Sequence, residues 1–437
     1  MDPMVIGVVG IAVLLVLVSI GIHVGVALGV VGIGGMACIM GFSNAVTLSV
    51  NSMYFNNANY AFVTLPLFIL MGLWGAAGGI SKTLYDGLVV WTGKIRGSLG
   101  IATVLGCAAF GAVCGSSIVT AAVFAKVSSP EMRRLGYDKK IAYGITASAG
   151  MIGMLIPPSI LAVIYGILTG LSVGKLLLGG IGPGLLLTAL MCADIYYIAR
   201  FRTDLITPQE MREYSWAEKL KTLPTFWPVI VTAIIIFGGI FGGVFSPTEA
   251  SAVATVVILV LLLVTLKKES GPHLASGVKE TATTSAMIFL TMAGACVFSR
   301  YLVVTGISDK IVELIIGAQL NNYALLAILA LLYLILGCLM DSTSMLTITI
   351  PILHPIIVKL GIDPYFFGVF MIYASQIGII TPPFGLAVFT VKGVAEPDVT
   401  VEDVFAGSMK YLFMMIAGLP IMMVFPQIIT VFTSWGG

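Results

Sequence analysis

A chain of 437 residues with 59% hydrophobic and only 10% charged residues is not a soluble globular domain, since such domains carry about 25% charged residues. Its mean hydropathy is +1.08, and apolar segments recur that are each long enough to cross about 30 Å of hydrocarbon, so the pattern defines an all-α polytopic protein of the lipid bilayer. The net charge of +2 is almost uninformative, and no nucleic-acid partner is expected; the placement of the charges says more.

Catalytic and metal motifs are missing. The six cysteines lie in apolar runs without CxxC pairing, and three histidines without HExxH argue against an intramembrane zinc protease. No Walker A sequence occurs, so transport energy would come from elsewhere than nucleotide.

In chain order, apolar spans are predicted near 4–22, 24–42, 61–80, 98–128, 141–170, 176–199, 226–245, 248–266, 281–304, 323–358, 364–391 and 407–432. The first lacks a basic n-region and a small-residue cleavage site, so it reads as a retained helix. The stretch from Phe42 to Tyr60 is polar but uncharged and reads as an outside loop. The spans at 98–128 and 323–358 are too long for one crossing and are interrupted by Gly115-Ser116-Ser117 and by Asp341-Ser342-Thr343-Ser344. Each reads as a re-entrant hairpin with its tip at mid-membrane depth. Prolines Pro157-Pro158 and Pro382-Pro383 break the helices at 141–170 and 364–391. Between the halves, 207–223 reads as an amphipathic helix on the cytoplasmic surface.

Lysine and arginine set the orientation. With the N-terminus outside and the hairpins not crossing, 18 basic residues fall in inside loops. Only Lys175, Lys310 and Lys359 lie outside, with Arg300 near the end of a span. Both termini are then periplasmic.

The chain also resembles itself. An offset of 225 residues lays Pro130 on Pro355, Leu135-Gly136 on Leu360-Gly361 and Asp138 on Asp363. It also lays GMLIPPSILAV (153–163) on GIITPPFGLAV (378–388), with six identities in eleven. At 226, Gly111 meets Gly337 and Ser116 meets Ser342; at 227, Gly79-Ile80-Ser81 meets Gly306-Ile307-Ser308. Each half has an odd number of crossings, so the second copy runs upside down. Two inverted-topology repeats are expected, 1–200 and 226–437, joined by a connector at 201–225. Such repeats with broken helices mark secondary transporters that bind at the midplane.

The breaks have a chemical use. Pro157 and Pro158 free the carbonyls of Gly153 and Met154, and Pro382 and Pro383 free those of Gly378 and Ile379. Freed carbonyls in a dry setting suit Na⁺, while helix N-termini attract anions. Hydroxyls at Ser116, Ser117, Thr120, Ser342, Thr343 and Ser344 stand beside those ends. Asp341 is an ionisable residue at membrane depth and a functional candidate by default. It is placed to strengthen a cation site, to orient substrate or to carry a proton. Arg300 reads either as a ligand for a substrate carboxylate or as a side chain snorkelling to the interface. Glu249, in FSPTEASA, reads as a helix cap.

FGAVCGSSIVTAA, GMLIPPS, FSPTEASAVA and ITPPFG together resemble the large membrane subunit of TRAP (tripartite ATP-independent periplasmic) transporters, over essentially the whole chain. The resemblance implies an elevator-type importer of organic acids such as C4-dicarboxylates and sialic acid, in the bacterial inner membrane, with Na⁺ as coupling ion. It implies two partners, a small four-helix membrane subunit and a periplasmic substrate-binding protein; the small subunit is expected as a separate polypeptide. Carried over by position, it places ion sites at Gly111, Ser116, Ser117, Gly337, Asp341, Gly153, Gly378 and Thr381. With the break residues, the expected Na⁺ set is Gly111, Ser116, Gly153, Met154, Pro157, Gly337, Asp341, Gly378, Ile379, Thr381 and Pro382. The expected substrate set is Ser116, Ser117, Ser159, Asp341, Ser342, Thr343, Ser344 and Arg300. The competing readings are a stand-alone Na⁺/carboxylate symporter and a membrane hydrolase using Ser116 or Ser117. The hydrolase lacks a mid-membrane His or Lys base in register, so no enzyme is expected.

Overall fold

The computed structural model describes residues 2–202, 205–206, 213–307, 310, 313, 317, 321–338, 340–383 and 385–434, without the side chains of 55–57 and 241. The described residues of the first half form α1 (Pro3–Ser19), α2 (Val24–Met40), α3 (Phe42–Asn57), α4 (Thr64–Ala77) and α5 (Ile80–Thr92). Next come α6 (Ser98–Cys114), α7 (Ser117–Val127), α8 (Ser129–Arg134), α9 (Lys139–Ala149), α10 (Ile152–Leu155), α11 (Ile160–Thr169), α12 (Val173–Gly179) and α13 (Ile181–Phe201). A surface helix α14 (Trp216–Thr222) leads to α15 (Trp227–Ala233), a π turn at Ile234–Gly238, α16 (Gly239–Phe241), α17 (Pro247–Leu266) and the long α18 (Ser270–Thr305). The remainder is α19 (Asn322–Gly337), α20 (Ser342–Lys359), α21 (Pro364–Gly378), α22 (Leu386–Val394), α23 (Val401–Val424) and α24 (Gln427–Ser434). Among the described residues, six helices are long and apolar enough to cross a membrane, or seven counting one bent pair.

Two elements depart from the hydropathy reading. The expected loop at 42–60 is largely the helix α3. It buries Ala45, Ser49 and Ser52, a stripe at helical spacing, while packing on α18 and α2. A stripe of small and hydroxyl side chains gives no hydropathy signal, yet it lets backbones approach closely. The basic loop expected after span 61–80 contains α5, whose Ile80, Leu84 and Tyr85 pack inward beside α6. In the connector, α14 starts with a Ser215–Glu218 capping box, and the expected helix positions 207–212 lie outside the described residues. Lys219 stands 5.4 Å from the Trp216 ring centroid. The Ser246–Glu249 capping box opens α17, which is the capping role read for Glu249.

Both long interrupted spans are hairpins. Gly106 and Phe124 are nine residues either side of Gly115, a separation of about 27 Å in a straight helix. Instead a Cβ on Gly106 would meet the Phe124 ring at 2.5 Å, and the rings of Phe110 and Phe124 are 5.9 Å apart. In the second hairpin, the Tyr333 hydroxyl is hydrogen-bonded to Thr349 across α19 and α20. The first broken helix bends by 40° between α9–α10 and α11. Both Pro157–Pro158 and Pro382–Pro383 peptide bonds are cis.

The contacts among these pieces recur in pairs. The incoming arm of each hairpin packs on the helix before a break, α6 on α10 and α19 on α21. The helix after each break packs on the outgoing arm of the other hairpin, α11 on α20 and α22 on α7.

The ends of this assembly differ chemically. At the α8–α9 end, Arg133 grips Asp398 with two bonds of 2.9 and 2.8 Å and also binds Glu396. Lys139 pairs with Asp403 at 2.6 Å. At the other end the joints are tyrosine hydroxyls on backbone: Tyr165 donates to Pro364 O at 2.9 Å, and Ser172 N donates to Tyr365 at 3.4 Å.

Candidate substrate and ion site

Each hairpin tip is a helix start with a side-chain cap. Gly115 turns the chain with φ +64°, and Ser116 then caps α7 by accepting from Val119 N at 3.4 Å. Asp341 caps α20: Oδ2 accepts from Thr343 N at 2.9 Å and Ser344 N at 3.1 Å, and Ser344 Oγ donates to Oδ1 at 2.5 Å. The structural counterpart of the half-buried Asp341 is therefore Ser116, an offset of 225. A third cap stands after the first break, where buried Ser159 accepts from Ala162 N at 3.3 Å. These caps satisfy some free N–H groups of each first turn and leave others for a ligand.

Tips and breaks meet at glycines. A Cβ on Gly111 would lie 2.7 Å from Gly153 Cα, and one on Gly378 would lie 2.6 Å from Gly337 Cα. A Cβ on Gly115 would meet Pro158 O at 2.7 Å, and Cys338 Sγ donates to Pro382 O at 3.3 Å. Both halves thus bring hairpin and break into backbone contact at equivalent positions. Thr120 Oγ1 stands against Gly153 while donating to Ser116 O at 2.7 Å.

At the breaks the bonding differs from the simple expectation. In the first, Ile156 N donates to Ile152 O, and Pro157 and Pro158 have no N–H to offer Gly153 and Met154. In the second, the expected free carbonyls are both engaged: Thr381 N donates to Gly378 O at 3.0 Å and Ala387 N to Ile379 O at 3.1 Å. The chain after the second break folds back, so Ala387 reaches a carbonyl that a straight helix would leave open. Thr381 Oγ1 turns onto Ile377 O at 2.7 Å. Each such carbonyl keeps its second lone pair. Pro157 and Pro158 are buried, whereas Thr381 and Pro382 are half-buried and Pro383 is exposed.

Ser117, Ser342 and Ser344 are buried and Thr343 half-buried beside the caps. Ser342 Oγ finds no hydrogen-bond partner among the described residues, which leaves a buried hydroxyl for a ligand. Gln376, fully buried two residues before Gly378, likewise has an unpartnered Oε1, and its Nε2 donates to Ser375. Hydropathy passed over Gln376; its signal was a lone amide in an otherwise apolar run. The structure does not bring Arg300 to the tips. Arg300 lines a separate cavity with Pro351, and Pro351 is about 13 Å along α20 from Ser342.

Hairpins capped at buried tips and packed on broken helices define the class of helical membrane transporters. The crystal structure of the Alcanivorax borkumensis YdaH transporter superposes with a TM-score of 0.61 at 16% identity, covering 98% of this chain and 99% of that one. Residues 11–428 match the family model for the DctM component of the tripartite ATP-independent periplasmic transporters, and the chain belongs to that family as a large membrane subunit. It is 32% identical to the C4-dicarboxylate TRAP transporter large permease protein DctM of Pseudomonas aeruginosa, over 93% of this chain and 94% of that protein. It is 31% identical to the sialic acid TRAP transporter large permease protein SiaM of Vibrio cholerae, over 88% and 89%.

Proposed function

We propose that this chain is the translocating subunit of a Na⁺-coupled organic-acid importer in the bacterial inner membrane. A periplasmic binding protein delivers the substrate, and a small four-helix subunit completes the membrane part. The observation that carries this reading is the repeated backbone contact of hairpin and break, Gly111 with Gly153 and Gly337 with Gly378. The recurrent packing of α6 on α10 and α19 on α21 supports two inverted repeats, 1–200 and 226–437. The hairpins and broken helices then form the moving part of an elevator, and α18 with the long outer helices forms the frame.

The donor set fits Na⁺. The carbonyls of Gly153, Met154 and Gly378, the Ser116 hydroxyl and the Asp341 carboxylate are hard oxygen ligands. Glycine pairing lets carbonyls approach a small ion without side chains intervening. The substrate anion lies against the N-termini of α7, α11 and α20, where unfilled N–H groups and Ser117, Ser159, Ser342 and Thr343 complement negative charge. The two relatives carry different substrate names at nearly equal identity, so an acid of either kind is a fair starting point.

The test is uptake by proteoliposomes holding all three components, across a panel of organic acids with Na⁺ or K⁺ outside. Uptake requires inward Na⁺; uptake indifferent to the cation overturns the coupling. Asp341→Ala abolishes uptake with assembly intact, and Asp341→Asn separates capping from charge because an amide still caps. Normal Na⁺-dependent uptake by Asp341→Ala removes Asp341 from the mechanism.

A further inference from the structure

The sequence groups Arg300 with the hairpin tips, yet in the structure it stands elsewhere. Met292, Cys296 and Arg300 repeat every four residues and share one face of α18, with Ser299 beside them. That face forms one wall of a cavity of about 260 Å³. Leu168 of α11 and Pro351 of α20 form the opposite wall, and Phe62 contributes a further side. Among the described residues, Arg300 is the one charged residue lining it. Arg300 itself is exposed, and Cys296 and Ser299 are half-buried, so the cavity is open towards Arg300.

The position of this cavity follows from chain direction together with the proposed transport reading and its orientation. Leu168 is eight residues beyond Ile160 and Pro351 nine beyond Ser342, so both lie about 12–14 Å past the break and the tip. Arg300 is five residues before the outer end of α18. The cavity therefore sits in the outer third of the membrane, between the periplasm and the hairpin site. One wall belongs to the frame, and the other belongs to the elements that move.

The geometry points to an outer staging site, distinct from the hairpin-tip site, in which Arg300 receives one carboxylate of the incoming acid. A guanidinium offers a planar pair of donors matched to a carboxylate. A single cation with the Ser299 hydroxyl beside it, among mostly apolar side chains, recognises one anionic group and tolerates the rest of the molecule, which suits relatives named for both C4-dicarboxylates and sialic acid. The volume falls just under the usual range of about 300–1,000 Å³ for drug-sized ligands, as a small acid requires. Movement of α11 and α20 past α18 dismantles the cavity, so the acid leaves Arg300 as the hairpins carry it inward.

Two measurements test this. In purified wild-type protein, a membrane-impermeant methanethiosulfonate modifies Cys296, read by mass spectrometry at that cysteine, and succinate or sialic acid slows the modification. Absence of modification, or no slowing by either acid, overturns the staging site. In proteoliposomes with both partners, Arg300→Gln raises KM for the transported acid by about ten-fold or more with Vmax nearly unchanged, and Arg300→Lys lies between it and wild type. An unchanged KM in Arg300→Gln overturns the proposal, as does protection of Cys296 that persists undiminished in that variant. If Arg300→Gln fails to assemble, the wild-type Cys296 result decides alone. Failure of wild-type uptake would count against the transport reading, whereas the Cys296 result is obtained without transport.

Discussion

Single glycines decide how closely hairpin and break can meet. At Gly337 and Gly378 an added methyl runs into backbone of the facing element, at 2.6 Å from Gly337 Cα in the second case. Overpacking of this kind costs about 1–3 kcal/mol. Gly29, in α2, has nothing within 4 Å of an added Cβ. There helix propensity dominates, worth up to about 1 kcal/mol in favour of alanine. Gly378→Ala is therefore expected to lower the unfolding temperature and impair uptake, and Gly29→Ala to leave both intact or raise stability. Equal effects of the two substitutions in a thermal-unfolding series would show that backbone contact at the break is unimportant. The Gly111–Gly337 equivalence was legible in the sequence, because a repeat offset survives in letters. The bonding of Gly378 and Ile379 was not, since it depends on Ala387 returning to the break, and no local pattern announces that return.

Among elements, the joint between α8–α9 and the segment before α23 couples the two halves through charge. The Arg133 guanidinium holds the Asp398 carboxyl below the ordinary aspartate range. A carboxylate with a lowered folded pKa contributes stability above its unfolded value, near about pH 4, and loses it as pH falls through the folded value. Arg133→Ala is expected to lower the unfolding temperature by no more than about 2 °C at neutral pH, because exposed ion pairs are weak. The difference from wild type should persist at and above the ordinary aspartate range and be lost as pH falls through the lowered Asp398 value. A constant difference across that range would place the effect of Arg133 in packing alone. The hairpins themselves were readable as spans too long for one crossing with polar tips at 115–117 and 341–344. Helix α3 is hidden from hydropathy because Ala45, Ser49 and Ser52 bury a stripe with no hydropathy, and α5 because the exposed Lys82 and Asp86 on its outer face lower its mean hydropathy.

For the whole molecule, coupling should appear as linkage between ion and fold. Na⁺ bound only by the folded protein adds about 2.7 kcal/mol at a hundred times its dissociation constant. Purified protein should therefore unfold at a higher temperature in NaCl than in KCl of equal concentration, and Asp341→Asn should shrink that gap. Identical melting in the two salts would argue against a resident Na⁺ site. The family and the transporter class were legible from four short motifs, because hairpin tips and breaks need particular residues in particular order. The location of Arg300 was not, since its place relative to α11 and α20 arises only when distant helices pack. The two ends of the hairpin assembly also answer differently to the medium. Arg133, Asp398 and Glu396 at one end are partly exposed charges, whose attraction weakens as the Debye length falls towards about 3 Å in molar salt. Tyr165 on Pro364 O at the other end is a neutral bond that salt scarcely touches. Ionic strength is thus a selective handle, loosening one end of the paired repeats while leaving the other fastened.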